Sequence, residues 1–362
     1  MSAVKQKVLV APLDWGLGHA TRSIPIIREL QLKGCEVVIA SSGNALILLK
    51  SEFPGLKFFE LTSYQASYSK RVPLILKVFL QLPKFLLAIR KEHVQLEAIV
   101  TKEQIDFVIS DSRFGCWTKL VPTVFITHQV NIQMPFALKW MQGIINYFNY
   151  WQIKKFNQCW IPDFPENRLT GKLTEPGKLP VKFIGMLSRF NKTTGGASQI
   201  YDYLALVSGP EPQRTIFEQK IRLCFSELKG RKFLVRGLPG MGEEIVKLSD
   251  WDEVCHLTAD KLQSIIEQSV LVICRSGYSS VMDLAALSKK ALFVPTPGQT
   301  EQEYLSEQLM QKRIAYSVRQ DSFSNTDLLL AKGYTGFTQD FSMDLLKREI
   351  NNLVKERSTI ND

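Results

Sequence analysis

Long apolar runs are missing from this chain of 362 residues: nothing approaches the ~18 to 20 consecutive apolar residues of a membrane span. Histidine is scarce, with four in the whole sequence. Cysteine is thin and scattered, and its six members (Cys35, Cys116, Cys159, Cys224, Cys255 and Cys274) form no Cys-x-x-Cys pair. That spacing argues against a disulfide scaffold or a zinc site and reads as the reduced thiols of a cytoplasmic protein. Met1 to Val10 runs straight into a strand-like stretch, so no signal peptide is expected. What is present is an ordinary globular composition, 45% hydrophobic and 22% charged. At roughly 150 residues per domain, it suggests two domains.

Acidic residues are also missing locally. The net charge of +10 sits in the first half, where residues 1–180 hold 22 Lys/Arg against 13 Asp/Glu; residues 181–362 hold 23 against 22. Leu61 to Lys91 and Ser112 to Pro162 contain no acid at all. In the first of these, Lys70, Arg71, Lys77, Lys84, Arg90 and Lys91 alternate with Val72, Leu74, Ile75, Leu76, Phe79, Leu82, Phe85, Leu86 and Ile89. Pro73 and Pro83 are expected to split it into two short helices. The second carries Phe136, Leu138, Trp140, Met141, Ile144, Ile145, Tyr147, Phe148, Tyr150 and Trp151, then Lys154 and Lys155. Basic, amphipathic and bulky, these stretches fit helices lying on an anionic membrane surface. The alternative is core helices with solvated lysines. A nucleic-acid surface wants less aliphatic bulk, so no nucleic-acid partner is expected.

The chain opens on a strand (Lys7 to Ala11), a glycine loop, a helix (about Arg22 to Lys33, ended by Gly34) and a second strand (Cys35 to Ala40). Ile105 to Ser110 and Thr123 to Thr127 read as further buried strands. Prolines and glycines between 162 and 200 mark a domain connection. Strand and helix signals then alternate again through Tyr203–Val207, Thr215–Leu228, Lys232–Val235, Ala259–Glu267, Val270–Cys274, Ser279–Leu287 and Ala291–Pro295. The expected fold is α/β, with two Rossmann-like doubly wound domains facing across a cleft. Their expected extents are 1–185 and 186–340, followed by a C-terminal helix in 341–362 whose placement the sequence leaves open.

Ligands in open α/β sheets sit where strands end and helices begin, and four such places are chemically dense. In Asp14-Trp15-Gly16-Leu17-Gly18-His19, Gly16 and Gly18 allow a tight turn and close approach to a ligand. His19 then falls at a helix start, where the dipole favours the neutral imidazole. Asp111, followed by Arg113, ends one strand; His128-Gln129-Val130-Asn131 follows another. Parallel strands end along one edge, so Asp111 and His128 are expected beside His19, whereas His93 and His256 read as structural or solvated. Ser276 and Gly277 open a helix whose free amides can hold a phosphate, and Asp283 lies two turns along it, in reach of ribose hydroxyls. The loop Pro295 to Tyr304, with Gln299, Gln302 and Glu303, suits sugar hydroxyls. An Asp-x-Asp pair is read as absent, which argues against a metal-bridged donor, and no metal or other cofactor is expected.

Cys274 to Ala286, followed by Val294-Pro295 and Gln302-Glu303-Tyr304, resembles the donor-nucleotide domain of MurG-type glycosyltransferases, the family 28 group of GT-B fold. The loop Gly16-x-Gly18-His19 is similar to that family's first glycine loop, and His128-Gln129-x-Asn131 to its His-Glu-Gln-Asn strand end. Arg189 stands where the family places a donor-contacting arginine. The resemblance implies an enzyme that uses a UDP-sugar. Arg189, Arg214, Ser208, Gly209 and the Ser276 helix would then hold the diphosphate, and Asn131 would sit on the acceptor side. Three departures stand out. Asp283 replaces Glu; Pro210 and Pro212 interrupt the phosphate loop; and Gly-x-Gly-His-x-x-Arg is closer to relatives that hydrolyse nucleotide sugars.

Three readings follow. The first is an inverting, metal-independent transferase using UDP-N-acetylglucosamine and a lipid-linked or other cell-envelope glycan acceptor, with His19 as base and Asp111 and His128 behind it. It places the protein in the cytoplasm, peripheral on the inner face of the membrane. The second is a UDP-sugar hydrolase with the same donor site. The third is a non-catalytic nucleotide-sugar-binding protein.

Overall fold

The computed structural model describes residues 5–64, 74–134, 136–166, 168–192, 198–338 and 342–358, with backbone alone for 74–82, 136–137 and 356–358. Lys70, Arg71, Val72 and Pro73 lie outside the described residues. The chain divides into two compact units, with the boundary between Leu187 and Ser188, and the residues from Ser342 onward return to the first unit.

The first unit runs β1 (Lys7–Pro12), α1 (Gly18–Leu32), β2 (Glu36–Ser41), α2 (Gly43–Glu52), β3 (Lys57–Glu60), α3 (Leu74–Glu103), β4 (Phe107–Asp111), β5 (Thr123–Ile126), α4 (Gln142–Ile153), β6 (Gln158–Ile161) and β7 (Lys182–Phe183). Its seven strands pair in parallel in the order β3-β2-β1-β4-β5-β6-β7. Both faces are covered, so the strands read as continuous apolar runs: Val8 to Ala11 and Phe107 to Ile109 are all buried.

Helix α3 corrects one expectation. Pro83 does not divide it; the helix continues through the proline to Glu103. A helical proline removes one hydrogen bond and kinks the axis. Beyond it, Leu96, Ile99 and Val100 pack into the core on one sheet face, and that docking holds the helix together. Close to this helix, Gly115 has no room for a side chain, because a Cβ there would stand 2.5 Å from Glu92 Oε2 and from Ile89 O.

The second unit runs β8 (Tyr201–Leu206), α5 (Gln213–Glu227), β9 (Lys232–Val235), β10 (Val246–Lys247), β11 (Asp252–Val254), α6 (Ala259–Glu267), β12 (Ser269–Cys274), α7 (Tyr278–Ala286), β13 (Lys290–Phe293), α8 (Thr300–Gln311), β14 (Tyr316–Ser317) and α9 (Asn325–Lys332). The order is β10-β11-β9-β8-β12-β13-β14, antiparallel only between β10 and β11. The last helix, α10 (Asp344–Ser358), buries Leu346, Ile350 and Leu353 in the first unit's core beside Ile24 and Ile27 of α1. That settles its placement.

Candidate active site

In the first unit the ends of β1, β4 and β5 stand side by side, and the strand order turns between β1 and β4, where parallel sheets open a crevice. The loop after β1 turns at Gly16, whose φ of +76° suits glycine alone without strain. Helix α1 starts at Gly18, earlier than the sequence suggested, and puts His19 in its first turn. Asp111 ends β4, fully buried, between Pro12 of β1 and Ile126 of β5. His128 stands two residues beyond β5. The three residues meet as expected: His19 Nδ1 is 3.1 Å from Asp111 Oδ1, and the two imidazole centroids are 6.3 Å apart.

Sequence reasoning missed the residue between them. Arg22 lies one turn along α1 from His19, on the same helix face, and is 2% exposed. Its Nε donates to Asp111 Oδ2 at 2.6 Å and its Nη2 to Asp111 Oδ1. Its Nη1 meets His128 Nδ1, and its Nη2 lies 2.7 Å from His19 Nδ1 and 3.2 Å from Ser112 Oγ. The His-x-x-Arg spacing was the available signal, but an arginine early in a helix reads as solvated.

These contacts set the charges. Burial works against ionisation of Asp111, but the Arg22 guanidinium and His19 outweigh it and hold the carboxyl well below the usual carboxylate range. Burial, and then the Arg22 charge, push the His19 imidazole down from its ordinary value, against the opposing pull of Asp111. A base needs the neutral ring, so activity should stay flat from neutral pH downward and fall only as pH drops through a value below about 6.5. A pH profile of kcat/KM checks this.

Asp111 and Arg113 were grouped together in the sequence, and the structure separates them. Ser112, at φ +61°, swings the chain so that Arg113 turns away from the histidines into the interior. There its Nε donates to Pro12 O at 2.8 Å, its Nη1 to Glu92 Oε1 at 2.5 Å and its Nη2 to Ser42 Oγ at 2.6 Å. Asn131 is a brace: its Oδ1 accepts from Asn146 Nδ2 at 2.5 Å and its N–H donates to Leu173 O at 3.0 Å. Of the remaining histidines, His93 stacks on Trp117, with centroids 4.3 Å apart, and His256 is half-buried in the second unit.

In the second unit the ends of β8, β12 and β13 are neighbours, again at the turn in strand order. Ser208 and Gly209 follow β8, the latter exposed. Gly277 caps α7, and Ser276, fully buried, donates to Gln302 O at 2.8 Å, tying the start of α7 to α8. The loop between β13 and α8 is held by its own side chains. Gln302 Oε1 accepts from Thr296 N at 2.7 Å, its Nε2 donates to Gln299 Oε1 at 2.5 Å, and Glu303 Oε1 accepts from Gly298 N at 3.0 Å.

Three residues of this unit expected to meet ligand, Asp283, Arg189 and Arg214, are engaged in ion pairs within the protein. Asp283 accepts from Ser188 Oγ at 2.8 Å and Arg189 Nε at 3.2 Å. Burial pushes its carboxyl up, and those two donors oppose the shift. Arg214 donates to Glu211 Oε1 and to Glu218 Oε2, each at 2.6 Å, and to Arg236 O at 3.1 Å. It orders α5 and the end of β9 rather than pointing its donors at a free anion.

Among the described residues no group of three or more His, Cys, Asp or Glu side chains is placed to hold a metal. The sequence does contain one Asp-x-Asp pair, Asp250-Trp251-Asp252. Asp252 begins β11, which runs parallel to β9, so the pair lies at the opposite edge of the sheet from the loops just described. Asp252 accepts from Tyr201 Oη at 3.3 Å and Asp250 from Ser249 Oγ at 3.0 Å.

Residues 250–340 match the Glycosyltransferase family 28 C-terminal domain. Over 343 residues the chain is 24% identical to the UDP-N-acetylglucosamine--N-acetylmuramyl-(pentapeptide) pyrophosphoryl-undecaprenol N-acetylglucosamine transferase of Glaesserella parasuis serovar 5 (strain SH0165), covering 90% of this chain and 88% of that protein. In fold it is similar to the glycotransferase of kitacinnamycin, with a TM-score of 0.63 and 14% identity over 98% of this chain and 99% of that one. It is also similar to MurG of Acinetobacter baumannii, with a TM-score of 0.52 and 13% identity over 95% of each chain. Residues 250–340 thus match a glycosyltransferase domain, the chain as a whole is MurG-like in sequence, and its fold is of GT-B architecture, with two Rossmann-like units.

Proposed function

We propose that this enzyme is an inverting, metal-independent glycosyltransferase that moves a sugar, in first place N-acetylglucosamine, from its UDP conjugate to a lipid-linked acceptor. The observation that carries this reading is the pairing of half-buried His19 with buried Asp111 at the start of α1. Inversion at the anomeric carbon needs a single base to take the proton of the attacking hydroxyl. Nδ1 of His19 faces Asp111, which leaves Nε2 for that proton. The leaving diphosphate would be held by the amides at the start of α7 and the backbone of Ser208 and Gly209, with Arg189, tied to Asp283 of the same helix, as a cation. Asp283 would exchange that tie for a ribose hydroxyl when donor binds. Gln299, Gln302 and Glu303 would face the sugar.

The name of the Glaesserella relative supplies the donor and a pyrophosphoryl-undecaprenol acceptor. Trp15, exposed on the His19 loop with edge contacts to Phe85 and Tyr64, offers the acceptor an aromatic face. The decisive assay follows labelled UDP-N-acetylglucosamine with a short-chain diphosphate-linked muramyl acceptor, in the presence of EDTA. The reading predicts label in the lipid product. A hydrolase, which the Gly-x-Gly-His-x-x-Arg loop favours through Arg22 in the site, gives free sugar without acceptor. No release of UDP under either condition would overturn both.

The membrane-surface part of the reading gains support from α4. Its buried side chains are Asn146, Asn149, Gln152 and Ile153, whereas Ile144, Tyr147 and Trp151 form an exposed stripe at helical spacing, preceded by exposed Trp140 in the 3₁₀ turn Phe136–Met141. Asn149 Nδ2 donates to Val130 O at 2.9 Å, so the polar face is committed to the loop after His128. A helix with its apolar face outward and Lys139, Lys154 and Lys155 alongside fits an anionic bilayer surface. Among the described residues no helix is long and apolar enough to cross a membrane. We expect the protein to co-sediment with vesicles containing anionic lipid. Trp140→Glu with Tyr147→Glu should lower the bound fraction about tenfold without changing UDP binding.

A further inference from the structure

Arg22 has no part in the reaction as outlined, yet it touches more of the site than any other side chain in it. We propose that Arg22 and its ion-pair partner Asp111 set opposite tautomers on the two histidines, Arg22 leaving His128 only a donor toward the site and Asp111 leaving His19 as the sole base. A guanidinium has N–H donors and no acceptor. Its Nη1 meets Nδ1 of His128, so that nitrogen presents its lone pair and the ring hydrogen sits on Nε2. In that form His128 has no lone pair left to take a proton from a hydroxyl; its Nε2–H can only be offered to an oxygen.

His19 is held differently. Its Nδ1 lies 3.1 Å from Asp111 Oδ1 and 2.7 Å from Arg22 Nη2, and it can serve only one of them. Asp111 requires a hydrogen on Nδ1 and leaves the Nε2 lone pair available, which is the basic form. Arg22 requires the lone pair on Nδ1 and gives the idle form. The Nη2 hydrogens have two other acceptors, Asp111 Oδ1 and Ser112 Oγ, so the Asp111 tautomer leaves no donor of Nη2 stranded. The two neighbouring imidazoles thereby carry opposite hydrogens, His128 through Arg22 and His19 through Asp111, the buried carboxylate that Arg22 neutralises. An Asp-to-Asn change in the comparable serine-protease arrangement leaves the geometry intact and fails through the wrong tautomer.

The catalytic consequence rests on the reading of His19 as base; the tautomers themselves do not. With four histidines in the chain, long-range proton–nitrogen spectra of the histidine-labelled intact protein at pH 8 are assignable with His19→Gln and His128→Gln. We expect the Nε2–H pattern for His128 and the Nδ1–H pattern for His19. In Arg22→Gln, His128 should lose its fixed pattern and average between tautomers. A hydrogen on Nδ1 of His128 in the unaltered protein overturns the proposal, and that result needs no variant to fold. An Arg22→Gln protein that is folded and shows an unchanged His128 pattern also overturns it. The expected spectra from a protein without transferase activity would support the tautomer assignment and sink the base reading alone.

Discussion

His19→Ala lowers kcat by about 10²–10⁴-fold, the ordinary worth of a general base, with UDP binding unchanged. The residue lies in the first unit, and the donor-site loops lie in the second. The variant is expected to fold, because Asp111 keeps both of its hydrogen bonds from Arg22 when the imidazole is gone. His128→Ala should be milder, since a hydrogen-bond donor is lost rather than the base. Steady-state rates at saturating donor, together with a UDP titration of each variant, separate loss of chemistry from loss of binding. Equal losses in the two histidine variants would contradict the division of labour between them.

The largest stability effect belongs to Arg113. It is fully buried, and so is its partner Glu92, whose other oxygen accepts from Tyr64 Oη at 2.5 Å and Gly115 N at 2.8 Å. Burial pushes the Glu92 carboxyl up, and Arg113 works against that shift. Arg113→Met removes the cation and leaves a carboxylate in the interior, an uncompensated charge that costs about 3–5 kcal/mol. It also strands Ser42 Oγ and the carbonyls of Pro12 and Thr62. The first unit should unfold at distinctly lower urea concentration. Arg113→Met with Glu92→Leu should recover part of the loss, because a missing pair is cheaper than half of one. A single variant as stable as the parent would show that Glu92 is already neutral and that the ion pair contributes little.

The parts of this account that were legible in the sequence depend on short-range rules. Val8 to Ala11, the glycine loop and the helix after it announce a strand-loop-helix unit by composition and period. Parallel strands then bring their ends to one edge, which is why Asp111 and His128 are found beside His19. The parts that were hidden depend on distance or on a single backbone angle. Asp283 meets Ser188 and Arg189 across more than ninety positions, and no local pattern announces that tie. Asp111 and Arg113 face opposite ways because Ser112 takes a positive φ, which its identity does not advertise. Pro83 argued for a break that the packing of Leu96, Ile99 and Val100 overrides. Helix α4 is amphipathic in sequence, but only the structure shows that its polar side is the buried one.

The central claim is that the strand ends of β8, β12 and β13 bind a uridine diphosphate and that the chemistry is directed from His19. Calorimetric titration of UDP into the intact protein and into Gly277→Val tests its first half most directly. Gly277 caps α7, and a Cβ there would lie 3.9 Å from Gln302 Nε2, an ordinary contact, so the variant is expected to fold while its branched side chain adds bulk at the start of the helix whose amides would receive the phosphates. The account predicts saturable one-to-one binding to the parent and none to the folded variant. Absence of UDP binding by the parent, or equal binding by both, would contradict it.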